Sequence, residues 1–453
     1  MNPIISKYLF YYPTTLLKGE MVVHHLARYR EQQWLPGEEL AHYQLEHIRS
    51  ILHHAYTTTS FYRQRFDTIG MVPSDIQTLQ DLRQVPALTK SDLTKHAKEL
   101  LSSRASALDS LKTTGGSTGQ AVTVRKNPNA LARERAATWR AYEWASVSIG
   151  DRQARFWGVP LTARGRRTAA LIDFIANRRR LSAFGLDRDA LRRYYQKMLL
   201  WKPAYCYGYV SVLREFAEFL LSEGLAPPNS LRSIITTSEV LDHASRTTIK
   251  EAFGVPIFNE YGCGEVGSIA HECEHGSLHY MADNLIVEVD IESASTGTAG
   301  EIVVTDLHNR AMPLIRYRLQ DYASWGISAC ACGRTLPVIQ EIFGRAYDFI
   351  VDPSGKRHHP EALMYIFEEI KRTRSDIVRF QIIQTDRTQL LARLVVDSQS
   401  DKNGLETLIR QRVAEVVHPK VGVDFEYVDE ILREKSGKLR VIKSLLSPSS
   451  SAQ

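Results

Sequence analysis

Short apolar runs alternate with helix-length stretches through the middle of the chain, and that alternation leaves few folds open. Arg155-Phe-Trp-Gly-Val159 and Ser233-Ile-Ile-Thr-Thr237 read as strands, with helical stretches at 187–200, 209–223 and 241–252 around them. Strands alternating with helices argue for α/β layers. Before this region, 1–110 reads as helical, broken at Trp34-Leu-Pro-Gly37 and Met71-Val-Pro-Ser74. A Thr/Gly/Ser loop at 113–119 then leads into a strand, Ala121-Val-Thr-Val-Arg125, and a long helix near 130–146. From 284 to 305 the signal is β, with Leu285–Val289 and Glu301–Thr305 joined by Ser-Thr-Gly-Thr-Ala-Gly.

The last hundred residues start afresh. Leu363, Ile366, Phe367 and Ile370 fall at helical spacing, as do Leu405, Leu408, Ile409 and Val413. Val378/Phe380/Ile382 and Val421/Val423/Phe425/Tyr427 alternate with period two, as strands do. The expected division is therefore a large α/β domain over 1–345 with a β-rich part, and a small α+β domain over 346–445. A low-complexity, disordered tail follows over 446–453.

Composition narrows the function classes. Hydrophobic residues make up 43% and charged residues 24%, the balance of an ordinary globular protein. The 57 Lys+Arg against 51 Asp+Glu leave only +6 over 453 residues, which argues against nucleic acid as the main partner. The N-terminal apolar run is broken by Lys7 and closed by Pro13, so it makes a poor signal peptide. No window reaches the ~18 uninterrupted apolar residues of a membrane span. A cytoplasmic protein with at most loose membrane contact is expected.

Five segments carry candidate chemistry. Thr113-Thr-Gly-Gly-Ser-Thr-Gly119 offers backbone amides and hydroxyls to phosphate oxygens, although Gln120 stands where a P-loop NTPase needs lysine. Asn259-Glu-Tyr-Gly-Cys-Gly-Glu265 places a carboxylate after a glycine turn, suited to Mg²⁺ on a triphosphate. Pro313-Leu-Ile-Arg-Tyr-Arg-Leu-Gln-Asp321 ends on an Asp able to accept from a ribose diol. Gly344-Arg345 and Ser436-Gly-Lys438 follow, the lysine on a loop suited to neutralising a transferring phosphate. Singly, the Asn259–Glu265 segment reads equally well as a loop with a solvated Glu, and the Gly-rich loop, the Asp321 segment and Lys438 read more readily as an ordinary loop, a turn and a surface lysine.

Taken in order, these segments resemble the adenylate-forming ligase superfamily, and within it the phenylacetate–CoA ligase and CapK-like branch, from about residue 35 to 445. The resemblance implies roles. Thr114, Gly115, Gly116, Ser117, Thr118 and Gly119 would wrap the ATP phosphates. Ser238, Glu239, Asn259, Glu260 and Tyr261 would line the adenine pocket. Glu265 would bind Mg²⁺, Asp321 the ribose hydroxyls and Arg345 the ribose or phosphate edge. Lys438 would meet the carboxylate and α-phosphate during adenylation, before the small domain turns on a hinge within 346–349. The expected partners are a small carboxylic acid, CoA or another acyl acceptor, and a second copy of the chain. An amine or a carrier-protein thiol is the alternative acceptor, and a non-catalytic nucleotide-binding scaffold the alternative class. Gln120, Cys263 and Tyr347 depart from the residues usual in many relatives.

Four of the five cysteines lie between 263 and 332. Cys273 and His279 flank a turn, and Cys330-Ala-Cys-Gly333 forms a short knuckle. Three thiolates and one imidazole suit a closed, structural Zn²⁺ site. His275 and His271 are rival fourth ligands; His279 is preferred because the turn can bring it back opposite Cys273. Cys206 reads as core. The basic runs 164–167 and 178–180 read as solvated faces, and Tyr205/Tyr207/Tyr209 as either a half-buried strand or an acyl-pocket wall.

Overall fold

The computed structural model describes all residues except 114–121, 159–162, 184–185, 240, 242, 291–299, 327–329, 343–349, 359, 375, 398–399, 432–441 and 447–453. The chain divides into two compact units. One comprises 1–113, 123–181 and 191–344, the other 114–122, 182–190 and 345–453.

In the larger unit the helix Gly37–Thr58 starts directly after Pro36, with Glu38 and Glu39 in its first turn, where the helix dipole favours negative charge. It buries Leu40, Tyr43, Gln44, Ile48, Ile51, Leu52 and Ala55 at i, i+3, i+4 spacing. Thr59 ends it in an extended conformation and caps the next helix, Ser60–Thr68, by accepting the Tyr62 N–H.

The scaffold of this unit is an eleven-stranded sheet. Across it the order runs Leu285–Asp290, Gly300–Asp306, Tyr317–Trp325, Val338–Ile342, Leu278–Tyr280, Gly267–Glu272, Ile257–Cys263, Ser233–Thr237, Tyr205–Tyr209, Gln153–Trp157 and Arg178–Ser182. The strands 153–157, 205–209, 233–237 and 257–263 pair in parallel. From 257–263 to 285–290 every pairing is antiparallel. Helices Arg188–Trp201, Val210–Ser222 and His243–Phe253 make the connections, each within two residues of the expected stretch.

Three local differences from the sequence reading have physical causes. The Tyr205–Tyr209 strand is buried at all five positions, not half-buried, because a parallel strand in mid-sheet is covered on both faces. The strand expected at 121–125 lies at Thr123–Lys126 and pairs with Ser110–Thr113, a strand whose charged and polar residues hid it. The run 178–180 is a paired strand: Arg178 and Arg180 both grip Asp173 of the helix Ala163–Ile175, and Arg179 lies over the Trp201 ring.

The smaller unit contains helix Pro360–Arg374, strands Ile377–Asp386 and Gln389–Val396, helix Lys402–Val416 and strands Gly422–Tyr427 and Ile442–Ser444. Its four strands run 422–427, 389–396, 377–386, 442–444 across the sheet. Leu363, Ile366, Phe367, Ile370, Leu405, Ile409 and Val413 pack on Phe380, Ile382, Leu390 and Leu394 in one core. Val378, expected inside, is 48% exposed. A register shift between Ile377 and Arg379 exchanges the two faces at that point, so Ile377 enters the core instead.

Close strand packing makes one glycine essential. A Cβ on Gly208 would lie 2.6 Å from the Phe156 carbonyl oxygen and 2.7 Å from its Cβ. Gly208→Ala should therefore destabilise the larger unit by roughly 1–3 kcal/mol through overpacking. A fall in the urea midpoint of tryptophan fluorescence would show it, and an unchanged midpoint would refute it.

Candidate functional site

The Ile257–Cys263 strand is parallel to one neighbour and antiparallel to the other, so it marks the place where the sheet changes direction. Open α/β sheets bind ligands in crevices outside the C-terminal ends of their parallel strands. The segment Asn259–Glu265 occupies that end and turns back into Gly267–Glu272. Two glycines permit the turn. A Cβ on Gly262 would sit 2.5 Å from the Gly267 carbonyl oxygen, and one on Gly267, whose φ is +92°, would strike the Glu134 carboxylate.

Around the turn the structure gathers two pinned carboxylates. The Tyr261 hydroxyl donates to Asp321 Oδ2 at 2.9 Å, and the Tyr317 hydroxyl donates to Glu265 Oε1 at 3.2 Å. Burial pushes the Cys263 thiol up, and the nearby Glu265 and Asp321 carboxylates push the same way. Glu265 is buried, yet among the described residues no protein donor reaches its Oε2. Positive φ angles at Arg316 (51°) and Gln320 (63°) shape the segment leading to Asp321. Arg316 is held there by Glu288 and by the Arg83 and Val85 carbonyls, and the Gln320 N–H donates to Glu301. Sparsely populated backbone of this kind concentrates at functional sites.

The other expected site residues are placed differently. Glu260 points inward, its two oxygens accepting from the Tyr142 and Ser268 hydroxyls at 2.9 and 2.7 Å. Glu239 accepts from the Ser211 N–H and hydroxyl, at the N-terminus of the helix Val210–Ser222. Ser238, just past its strand, has φ +68°. Asn259 is held through its side-chain oxygen by Thr236 and through its N–H by Glu272. Thr114–Gly119, Gln120, Arg345, Tyr347, the hinge at 346–349 and Lys438 lie outside the described residues.

Four charged residues absent from the sequence reading tie this region together. Lys112 and Lys126 stand on the two paired strands that flank 114–121, and both reach Glu134 of the helix Pro128–Trp144. Lys126 Nζ also donates to the Val266 carbonyl oxygen at 2.9 Å, next to Glu265, and pairs with Asp306 at 3.3 Å. Burial would raise the Glu134 carboxyl, but Lys126 and Lys112 outweigh it and hold it down at about 2. One turn apart on the same helix face, Thr138 donates to Ser268 and Tyr142 to Glu260, so the helix grips the hairpin at i, i+4, i+8. The available signal was a lysine on each side of a glycine-rich loop and a carboxylate inside a helix that is otherwise well covered.

The cysteine cluster is assembled as well. One ligand atom from each of Cys273, His279, Cys330 and Cys332 lies within 4.8 Å of the other three, a grouping that could hold a metal ion. The Cys273 and Cys330 sulfurs are 3.5 Å apart, and Cys332 Sγ is 3.3 Å from His279 Nε2. His279 Nδ1 lies 2.6 Å from the Leu336 carbonyl oxygen, which fixes the proton on Nδ1 and leaves the Nε2 lone pair toward the sulfurs. The His275 and Cys332 N–H groups donate to Cys273 and Cys330 sulfur, and both knuckles turn on glycines with positive φ, Gly276 and Gly333. His275 is exposed outside the group. His271 is buried against Tyr142, and burial holds it neutral, with its pKa near 4. Cys206 is buried in its strand.

Glu134→Gln should cost about 3–5 kcal/mol at neutral pH, because it leaves two lysines close to a carboxamide. The folded carboxyl titrates near 2 against an ordinary 4.5, so the wild-type advantage is whole above about 4.5 and is lost as pH falls through 2. Urea unfolding of both proteins at pH 7 and in the acid range measures it; a pH-independent difference would show the pairing to be without linkage.

Residues 350–445 match the CapK C-terminal domain family. The protein CapK of Staphylococcus aureus is 23% identical over 374 residues, covering 80% of each chain. A phenylacetate–coenzyme A ligase of Thermus thermophilus is 24% identical over 443 residues, covering 92% of this chain and 98% of its own. Among solved structures, a 2-hydroxyisobutyryl-CoA ligase bound to its acyl-adenylate and CoA shares the fold, with a TM-score of 0.59 at 20% identity over 91% of both chains. The chain is thus similar over most of its length to CapK and to phenylacetate–CoA ligases, and its residues 350–445 match the CapK C-terminal domain.

Proposed function

We propose that the chain is an AMP-forming acid–thiol ligase, which joins a small carboxylic acid to ATP and passes the acyl group on to CoA. The observation that carries this reading is the pairing of two pinned carboxylates at the sheet's change of direction: Asp321 held by Tyr261, and Glu265 held by Tyr317. A carboxylate already oriented by a tyrosine loses little on receiving a ribose hydroxyl, and that is the role assigned to Asp321. Glu265, with an oxygen free of protein donors among the described residues, fits a hard, oxygen-preferring cation. Bound Mg²⁺ would neutralise charge on the triphosphate. Thr114–Gly119 would supply phosphate donors and Arg345 the ribose or phosphate edge. Glu260 and Glu239 act by holding strand and helix, since their carboxylates already face protein donors.

In the first half-reaction a carboxylate oxygen of the acid attacks the α-phosphorus. The new O–P bond forms as the bond to the bridging oxygen breaks, and pyrophosphate leaves with the electron pair. In the second, the acceptor thiolate attacks the acyl carbon and AMP departs. The protein would position reactants and offset charge on the phosphate, with Lys438 assigned the role of the neutralising cation. The proposed division of labour is 1–345 for nucleotide and acid, and 346–445 for the lysine.

Pyrophosphate release across a panel of small carboxylic acids, with and without CoA, tests the reading. At least one acid should give release, and CoA should convert bound acyl-adenylate to free AMP. Lys438→Ala should slow adenylation by about 10² to 10³ while sparing reaction from a synthetic acyl-adenylate. Equal loss in both half-reactions would remove the assigned role of the lysine. Acyl transfer to an amine or a carrier thiol but not to CoA would move the acceptor.

Cys273, His279, Cys330 and Cys332 are assigned a structural Zn²⁺, because all four donors converge and the imidazole has its outer hydrogen bond. Metal analysis of purified protein should find about one zinc per chain. Cys332→Ser should lose the metal and lower the melting temperature, while Mg²⁺ remains necessary for pyrophosphate release. Zinc-free protein with unaltered melting would rule this out.

A further inference from the structure

The first helical turns of the chain are built inside out. Pro3–Ile5, the wide turn Ser6–Tyr11 and Tyr12–Leu17 follow one another without a break. Ile4, Ile5, Tyr8, Leu9, Leu16 and Leu17 face solvent, Leu9 at 67% and Leu17 at 89% exposure, while the buried positions are Ser6 and Thr15. A helix lying on a globular protein in water carries its apolar stripe inward. Here the outward side has the apolar stripe.

A second strip adjoins it. The helix Ala163–Ile175 exposes Leu171, Ile172 and Phe174. The Phe174 ring meets Phe10 edge-on with centroids 5.4 Å apart, and the Ser6 hydroxyl donates to the Ile175 carbonyl oxygen at 3.5 Å. The two strips thus form one continuous face. Contiguous apolar patches of this kind on soluble proteins mark interaction sites.

Charge selects the occupant. Residues 1–19 and 163–180 contain eight Lys and Arg and one acidic residue, Asp173. That aspartate is buried and held by Arg178 and Arg180, and the next acid along the chain, Glu20, is buried against Arg135. Lys18, Arg166, Arg167 and Arg179 are exposed around the apolar strips. A protein partner would need matching acidic groups around a complementary apolar pocket. An anionic bilayer offers both without specific shape: apolar side chains enter the acyl boundary, Lys and Arg meet headgroup phosphates, and a tyrosine such as Tyr8 suits the interface. No helix among the described residues is long and apolar enough to cross a membrane, so contact would be in the interfacial plane. We propose that this face docks the protein on an anionic membrane surface.

The test is co-sedimentation of the full chain with vesicles of equal parts phosphatidylcholine and phosphatidylglycerol, beside vesicles of phosphatidylcholine alone. Binding should be confined largely to the anionic vesicles and should weaken as salt rises. The double substitution Leu9→Asp with Leu17→Asp should lower the anionic-vesicle affinity at least about tenfold. Lys18→Glu with Arg167→Glu should do the same through charge. Both sets change exposed side chains, so circular dichroism and melting should match the wild type. Equal binding to both vesicle types, or binding indifferent to these substitutions, overturns the proposal. A concentration-dependent dimer that Leu9→Asp with Leu17→Asp abolishes, in protein that ignores vesicles, would assign the face to a second copy instead.

Discussion

One partly buried carboxylate, Glu134, ties together the candidate site of the larger unit. It receives Lys112 and Lys126 from the two strands that flank 114–121, and Lys126 passes the connection on to the Val266 carbonyl oxygen and Asp306. Lys126 and Asp306 are buried and Glu134 partly so, and such charges are tolerable only as a set, with Lys112 completing it from a more exposed position. The consequence is positional: the strands around the glycine-rich loop and the turn that carries Glu265 cannot shift independently. The absence of a side chain at Gly267 is part of the same device, because a Cβ there would occupy the space of the Glu134 carboxylate.

From that anchor the site geometry follows in short steps. The helix Pro128–Trp144 grips the hairpin 257–272 through Thr138 and Tyr142 as well as Glu134, which fixes the hairpin where the sheet changes direction. The hairpin in turn presents Tyr261 to Asp321, while Tyr317, from the strand that ends beyond Asp321, reaches back to Glu265. Each proposed ligand-binding carboxylate is therefore oriented by a tyrosine from the other's segment. Such reciprocal support preorganises both groups before any nucleotide arrives.

The cysteine knuckle performs a comparable task further along the sheet. Arg334, two residues past Cys332, lies over the rings of Trp34 and Trp144 at 5.2 and 4.6 Å and donates to Gln33 and Glu274. Trp144 donates to the same Gln33 oxygen and packs edge-on against His279. The knuckle thus joins the end of the helix Val22–Gln32 to the end of Pro128–Trp144, the helix that carries Glu134. A closed metal site there would stiffen the scaffold at a distance from the chemistry.

Much of this was legible in the linear order of residues. Alternating strand and helix signals determined the α/β class, and the helical and period-two spacings determined the small unit's core at Leu363, Ile366, Phe367, Phe380, Ile382, Leu405 and Ile409. The Cys273/His279 turn and the Cys330/Cys332 knuckle disclosed four donors, because ligand spacing is a local property. Tertiary structure alone decided which motif residues turn toward one another at the candidate site and which turn into the protein. Glu260 and Tyr261 are neighbours in sequence, yet a strand sends successive side chains to opposite faces, one to Tyr142 and Ser268, the other to Asp321. Lys112, Lys126, Glu134 and Asp306 carry no motif, and their pairing depends on strands and a helix meeting across the fold. That meeting buries Lys126 and Asp306 and shields Glu134, and it turns four ordinary surface-type residues into the constraint that holds the candidate site.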